Sequence, residues 1–276
     1  MLNPQRKIGL KFLLSVGIAL TTTPSLVTAE PSLQTLRPGM PSVDGTVIQP
    51  YNNKWKLVGR GADGSVIEMG TWQDIAKVEK RNGRDVVIRQ QIWIHDRGAE
   101  GYLNIFDRKT MVPILSQYTN AGGLYRRFQF SADGKTVVYQ SSPMPPEEGT
   151  PPGAQPFRLS NPMLSGTLKL GEPLFDFNTG MFGLLLVGMP LEPGYSARFP
   201  VFRSFDPKAE PAWVDFEVTG KESVPAGPGK TVDAWLVVAH SPATDEVMTF
   251  DLVKEPPYII RLRQAWQGRD WTFEMM

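Results

Sequence analysis

From Ala212 to Trp266, apolar and polar side chains take turns at every second position. Val214, Phe216 and Val218 alternate with Asp215, Glu217 and Thr219, and then Val232, Ala234, Leu236 and Val238 alternate with Asp233, Trp235 and Val237. Met248, Phe250 and Leu252 share one face; Tyr258, Ile260 and Leu262 share another, with Arg261 and Arg263 opposite. A period of two in β-branched and aromatic residues predicts strands, and four in succession over short polar links predict an antiparallel meander.

Upstream, turn signals recur at Ala62-Asp63-Gly64, Arg81-Asn82-Gly83, Asn120-Ala121-Gly122-Gly123 and Ala132-Asp133-Gly134. Strand-like runs lie between them, with Val86, Ile88, Ile92 and Ile94 on one face of residues 85–95, and Leu124, Arg126, Phe128 and Phe130 together farther on. These predict a first meander over residues 51–142. Residues 143–156 hold six prolines, a density that excludes a helix interior and a central strand, so they read as a linker to a second half over 157–276.

One stretch breaks the alternation. Met181, Phe182, Leu184, Leu185, Leu186 and Val187 are too apolar for a surface helix. A short helix from about Asn178 to Val187, ended before Pro190 and buried against a sheet, accounts for them, although Gly183 and Gly188 are poor helix formers. The predicted fold is mainly β: one highly curved antiparallel sheet or open half-barrel in two meanders, with a short apolar helix on its concave face. Val218-Thr219-Gly220-Lys221-Glu222, Pro193-Gly194 and Pro225-Ala226-Gly227-Pro228-Gly229 read as turns or rigid loops, the first ending one strand and starting another.

The N-terminus adds a compartment. Arg6, Lys7 and Lys11 precede the apolar run Phe12 to Leu20, and Val27-Thr28-Ala29 supplies small residues for a cut after Ala29. Residues 1–29 therefore read as a secretory signal peptide, since the run is about half of the roughly 20 residues a spanning helix needs. Without an Arg-Arg pair, the general export route is expected. Residues 30–50, with Pro31, Pro38 and Pro41, read as an extended leader to the folded part, which gives a periplasmic or secreted protein with no stable membrane anchor after cleavage.

Removing residues 1–29 takes three basic and no acidic residues, leaving 26 basic against 28 acidic and a net charge of −2. That balance argues against nucleic acid as a partner. The chain has no cysteine, so disulfides, thiolate chemistry and an acylated cysteine anchor are excluded.

The order FDRKTMVP (106–113), a turn-rich hairpin, an apolar segment entering MPLEPGYSARFPVF (189–202), VTGKESVPAG (218–227), DAWLVV (233–238) and EPPYIIRLR (255–263) resembles a family of exported bacterial β-domains of unknown function. That family is similar in shape to the periplasmic lipoprotein carriers, whose curved sheet folds around an apolar cavity. The resemblance covers roughly residues 51–275 and implies a fold and a compartment, but no catalytic residues. The chain departs from membrane-anchored relatives of the carriers in having no cysteine after the signal peptide.

Other signals are weaker. Gly59-Arg60-Gly61-Ala62-Asp63-Gly64 has the spacing G-x-G-x-x-G, but Ser65 to Met69 reads as a strand where a dinucleotide site needs a helix, so a hairpin turn is expected. His95 and His240 are the only histidines, which excludes a site with three histidine ligands, and each is expected at a strand end. Neither a G-x-S-x-G elbow nor a phosphate-binding loop occurs. No cofactor or metal is therefore expected.

Two features lean toward binding. Arg261 and Arg263, on one side of a strand, with Arg198 or Arg203 near them, are suited to an anionic head group. Trp213, Trp235, Trp266 and Trp271 crowd the last third and are suited to lining a cavity or filling a core. The expectation is a non-catalytic envelope protein that holds an apolar or amphiphilic ligand, or docks on another envelope component, with Met181, Phe182, Leu185, Trp235, Arg261 and Arg263 as candidate ligand contacts. A pocket of roughly 300 to 1,000 Å³, plugged by Met181 to Val187, would serve the first role. The alternatives are a hydrolase with a site at the sheet rim, recognisable by a histidine joined to an acid and a hydroxyl, and a structural partner in an envelope assembly.

Overall fold

The structure, a computed structural model, describes residues 33–142, 163–176, 181–204, 207–244, 246–266 and 269–276. The expected signal peptide at 1–29 and the proline-rich linker at 143–156 lie outside the described residues.

Strand β1 (Gln34–Thr35) and a 3-10 turn (Gly45–Val47) come first. Then β2 (Tyr51–Arg60), β3 (Val66–Arg81), β4 (Arg84–His95) and β5 (Gly98–Asp107) follow, with β6 (Pro113–Asn120), β7 (Tyr125–Phe130), β8 (Thr136–Ser141) and β9 (Leu164–Lys169) after them. Each is antiparallel to the next. Past β10 (Phe175–Asp176) and helix α1 (Met181–Val187) the second series begins. It comprises β11 (Ser196–Phe202), β12 (Ala212–Pro225), β13 (Thr231–Ser241), β14 (Glu246–Leu252), β15 (Ile259–Trp266) and β16 (Arg269–Met275), again antiparallel in turn.

Pairing of β16 with β2 joins the two series into one open sheet that runs from β11, escorted by the short parallel strands β1 and β10, to β9. The sheet curls. Phe128 on β7 meets Phe202 on β11 at 5.2 Å between ring centres, and Asn104 on β5 bonds Asp176 on β10, so strands far apart in the sheet face each other across its concave side. There α1 lies in one core with Phe199, Phe216 and Phe250. At seven residues the helix is too short to hold itself together in water. Burial of Leu184, Leu185, Leu186 and Val187 holds it. Gly183 lets it approach, because a Cβ there would meet the Cδ1 of Ile259 at 2.4 Å.

Several sequence expectations need correction. From residue 33 onward the leader is part of the fold: Leu36, Val43 and Ile48 are buried in the main core, and the Tyr258 phenol accepts from the Gln49 N–H and donates to the Val47 carbonyl. These apolar residues show no periodicity, so the sequence pattern did not mark them. β9 belongs to the first series through its pairing with β8, although it falls past the linker.

Gly220 does not end a strand. β12 runs through it with a bulge between Val218 and Gly220, so that Val218 lies in the main core and Val224 in a small cluster with Ala234 and Ile260; on β13 the inward face is that of Val237 and Ala239, across from Val218 and Phe216, and not that of Leu236 and Val238. A second irregularity between Asp251 and Leu252 separates Ile260, which packs with Val224 and Ala234, from Leu262, which packs on the main core. The expected helix is present over Met181–Val187, and residues 178–180 lie outside the described ones.

Candidate functional site

On β4 the aliphatic face is not the core face. Val86 and Ile88 form a small cluster with Ile105, and Ile92 and Ile94 are 38% and 53% exposed. The alternate residues point inward: Val87 and Trp93 pack in or against the main core, and Arg89 and Gln91 are buried with them. The register extends this into two rows across neighbouring strands. One runs Asn53, Asp74, Gln91, Tyr102, Tyr118 and Arg126, and the other Tyr51, Ala76, Arg89, Asn104 and Ser116. All are buried. Burying polar side chains costs several kcal/mol each unless they are paired, so their partners decide what the stripe does.

Three networks satisfy most of it. Arg89 sits diagonally from Asp74, beside the small Ala76, and its Nε donates to Asp74 Oδ1 at 2.9 Å and its guanidinium to Oδ2 at 2.5 Å. Tyr51 donates to Asp74 Oδ2 at 3.1 Å. Burial pushes the Arg89 pKa down, and the Asp74 carboxylate more than reverses this, so the guanidinium stays charged. Burial also holds the Tyr51 phenol well above its usual range. This is a closed ion pair with no free valence for substrate.

The second network centres on Glu100, at the rim where β4 turns into β5. Tyr102 and Tyr118 both donate to its Oε2 at 2.9 Å, and Trp72 stacks on Tyr102 at 5.4 Å. His95, the last residue of β4, places Nε2 3.8 Å from Glu100 Oε1. Its Nδ1 accepts from the Arg97 N–H at 3.2 Å. Histidine, acid and hydroxyl are thus together, but in the wrong order for a hydrolase. A nucleophilic hydroxyl gives its proton to an imidazole that the acid orients, whereas here both hydroxyls give theirs to the acid. Burial first and the Glu100 charge second hold both phenols far above the tyrosine range, so they are neutral donors. His240 lies in the second series, one residue before the end of β13 and across from Asp215.

The third network lies between β5, β6 and β10. Asn104 Nδ2 donates to Asp176 Oδ2 at 2.6 Å and approaches Ser116 Oγ at 3.4 Å. Asn104 Oδ1 and Asp176 Oδ1 are buried without a hydrogen-bond partner. Beside them, walled by Phe106, Met111, Phe175 and Leu185, is a space of about 10 Å³, room for about one water. Burial raises the Asp176 carboxyl to about 7, against the hydrogen bonds of Ser116 and Asn104. Among the described residues, no group of three or more His, Asp or Glu is placed to hold a metal ion.

The residues singled out from sequence do not converge. Leu185 is inside, in the wall of that small space. Met181 and Phe182 open α1, and their side chains lie outside the described structure. Trp235 is half-buried against the core, with the Lys221 ammonium 4.1 Å from its ring centre.

Arg261 and Arg263 lie on the opposite side of β15 from Leu262, and both donate to Glu222, at 2.7 and 2.8 Å. Arg261 also donates to the buried Asp251 at 2.5 Å. Arg198 is paired with Asp215, and Arg203 with Glu246. The arginines thus meet carboxylates of this chain instead of forming an anion site. Among the described residues no ligand-sized pocket stands open at α1, whose Leu184, Leu185, Leu186 and Val187 are buried on the concave side.

The signal that would have found the buried stripe is the inward phase of β4: Arg89 and Gln91 alternate with aliphatics in a strand whose neighbour carries Asp74. Residues 88–270 match the family described as a protein of unknown function, DUF3108, and the chain belongs to that family. No curated protein and no solved structure matches the chain.

Proposed function

We propose that this member of the DUF3108 family is a non-catalytic module of the bacterial envelope that works by docking on another envelope component. The observation that carries the reading is the filled concave side. Leu184, Leu185, Leu186 and Val187 occupy the place an acyl chain would take, and the space left beside Leu185 suits about one water. Recognition then falls to the outside of the molecule.

The two ends of the sheet differ there. At β11, β1 and β10 cover the outer edge and Pro200, which has no N–H to offer, lies between them. At β9, no strand among the described residues pairs with the outer edge, and Met163, Leu164 and, on β8, Val138 expose apolar side chains beside it. An open edge of this kind accepts an extended segment of another protein as an added strand.

Export supports an envelope setting. The leader's basic, apolar and small-residue order suits a cut after Ala29 and a periplasmic or secreted protein. The hydroxyl-to-acid order around Glu100 favours a non-catalytic reading over a hydrolase. A shape shared with the lipoprotein carriers belongs to the proposal as architecture without their open cavity.

A second reading has one observation in its favour. Beside the space that Leu185 walls, Asn104 Oδ1 and Asp176 Oδ1 are buried without a hydrogen-bond partner, and the polar head of an amphiphile in the place of α1 would supply their donor.

The docking reading is tested by Met163→Lys with Leu164→Lys, since charges on an edge resist strand addition. In native extracts of the envelope the wild-type chain should migrate as a complex and the variant as a free chain, with an unchanged melting temperature. A complex that survives the two lysines, or a wild-type chain that already runs alone, overturns it.

A further inference from the structure

The open edge of the sheet has the same chemistry in both directions. β9 carries Leu164, Ser165, Gly166, Thr167 and Leu168 in order, a palindrome about Gly166 of leucine, hydroxyl, glycine, hydroxyl and leucine. An antiparallel neighbour runs backwards, so a strand that matches this edge position by position is the edge itself.

The backbone is in phase for that pairing. Just past β9 the Leu170 N–H donates to the Lys135 carbonyl at 2.7 Å, continuing the register that sets Lys169 against Thr136 and Leu164 against Ser141. Bonding residues alternate along an antiparallel strand. Leu164, Gly166 and Leu168 therefore direct their N–H and C=O at β8, and Ser165, Thr167 and Lys169 direct theirs at the open side. With Gly166 opposite Gly166 of a second copy, Ser165 meets the second copy's Thr167, and both bring outward groups. Leu164 meets Leu168 on the same face. A slip of one residue would set outward groups against inward ones, and a slip of two would set glycine against leucine.

The side chains fit the same register. A Cβ on Gly166 would lie 2.6 Å from the Tyr139 hydroxyl oxygen, so the phenol of β8 already lies across Gly166, and two such rings occupy the gap above a pair of glycines. Leu164 is 54% exposed, while Leu168 packs against the cluster of Phe128 and Phe202. Pairing brings each exposed leucine onto the other copy's cluster. The charge on β9, Lys169, falls opposite Met163, and the two lysines stand at opposite ends of the contact, roughly 20 Å apart.

We propose that β9 pairs with β9 of a second copy of this chain, giving a two-fold dimer with one sheet continuous through both. This rests on the docking reading of the β9 edge and names its occupant. The contact closes on itself: the other end of the sheet is covered by β1 and β10, so each copy offers one open edge and assembly stops at two. A contact of one short strand buries less than the roughly 1,200 Å² of a standard interface, so the dimer dissociates on dilution.

Sedimentation velocity of the purified chain alone, over a dilution series, reads the proposal. The wild type should pass from a monomer to a species of twice its mass as concentration rises. Thr167→Pro removes an outward N–H that β8 does not use, so it should remain a monomer throughout, with an unchanged melting temperature. Disulfides read the register, since the chain has no cysteine of its own. Leu164 and Leu168 of two copies form a pair without hydrogen bonds between them, about 4.5 Å from Cα to Cα, within disulfide reach. On mild oxidation a mixture of Leu164→Cys and Leu168→Cys chains should give a covalent dimer. Either variant alone should give none, because its two cysteines stand roughly 13 Å apart. A wild type that stays monomeric overturns the second copy even if Thr167→Pro fails to fold, and so does a cross-link in Leu164→Cys alone. The docking reading fails separately: a monomeric purified chain, with a complex in native extracts that the two lysines abolish, removes the second copy and keeps the edge.

Discussion

The same concave layer is built from opposite materials on its two sides. On β11 to β14 it is Phe199, Val214, Phe216, Val237 and Phe250, with α1 pressed on them. On β2 to β6 the corresponding positions include Asp74, Arg89, Gln91, Asn104 and Ser116, equally buried. The apolar side is stable because water is excluded from any shape of hydrocarbon that packs, roughly 25 cal/mol for each Å² removed from water. The polar side is stable only because most of its groups have a particular partner. One half therefore tolerates change in proportion to volume, and the other is sensitive to the loss of single atoms.

Arg89→Met should show this most sharply. It leaves Asp74 as a buried carboxylate without its counter-ion and should cost about 3 to 5 kcal/mol in urea unfolding, whereas Arg89→Met combined with Asp74→Leu should cost less than Arg89→Met alone. A double variant at least as unstable as the single would mean that the pair matters for its shape and not for its charge.

On the apolar side, Leu185→Ala removes buried methyl groups beside a space already present. It should cost about 3 kcal/mol, near the low end for buried leucines if α1 settles into the gap. Equal costs for a charge-matched pair of deletions and for Leu185→Ala would erase the distinction between the halves.

The apolar half was legible in the sequence because a single rule governs it. Val214, Phe216, Val218, Met248, Phe250 and Leu252 alternate, and all are buried as the alternation predicts. The rule failed on β13, where both faces carry apolar residues: Val237 and Ala239, in register with Val218 and Phe216 of β12, take the inward place that the pattern gave to Leu236 and Val238. The polar half was not legible for a physical reason of its own. On β4 both faces are covered near Val86 to Arg89, so hydrophobicity does not distinguish them, and the buried charge of Arg89 is acceptable only through Asp74, fifteen residues away on the neighbouring strand. Nothing local to either residue announces that pairing. The arginines drawn out as an anion site, Arg261 and Arg263, failed for the same reason, since their carboxylates Glu222 and Asp251 come from two other strands.

The proposal that the protein docks instead of carrying rests on the claim that the concave side is full, and one measurement addresses it most directly. Native mass spectrometry of the chain recovered from its own envelope without detergent should return the mass of the polypeptide beginning at Glu30 with no lipid-sized mass bound to it, whether the chain runs free or with a protein partner. A stoichiometric added mass of lipid size would contradict the account and make the space under α1 a binding site.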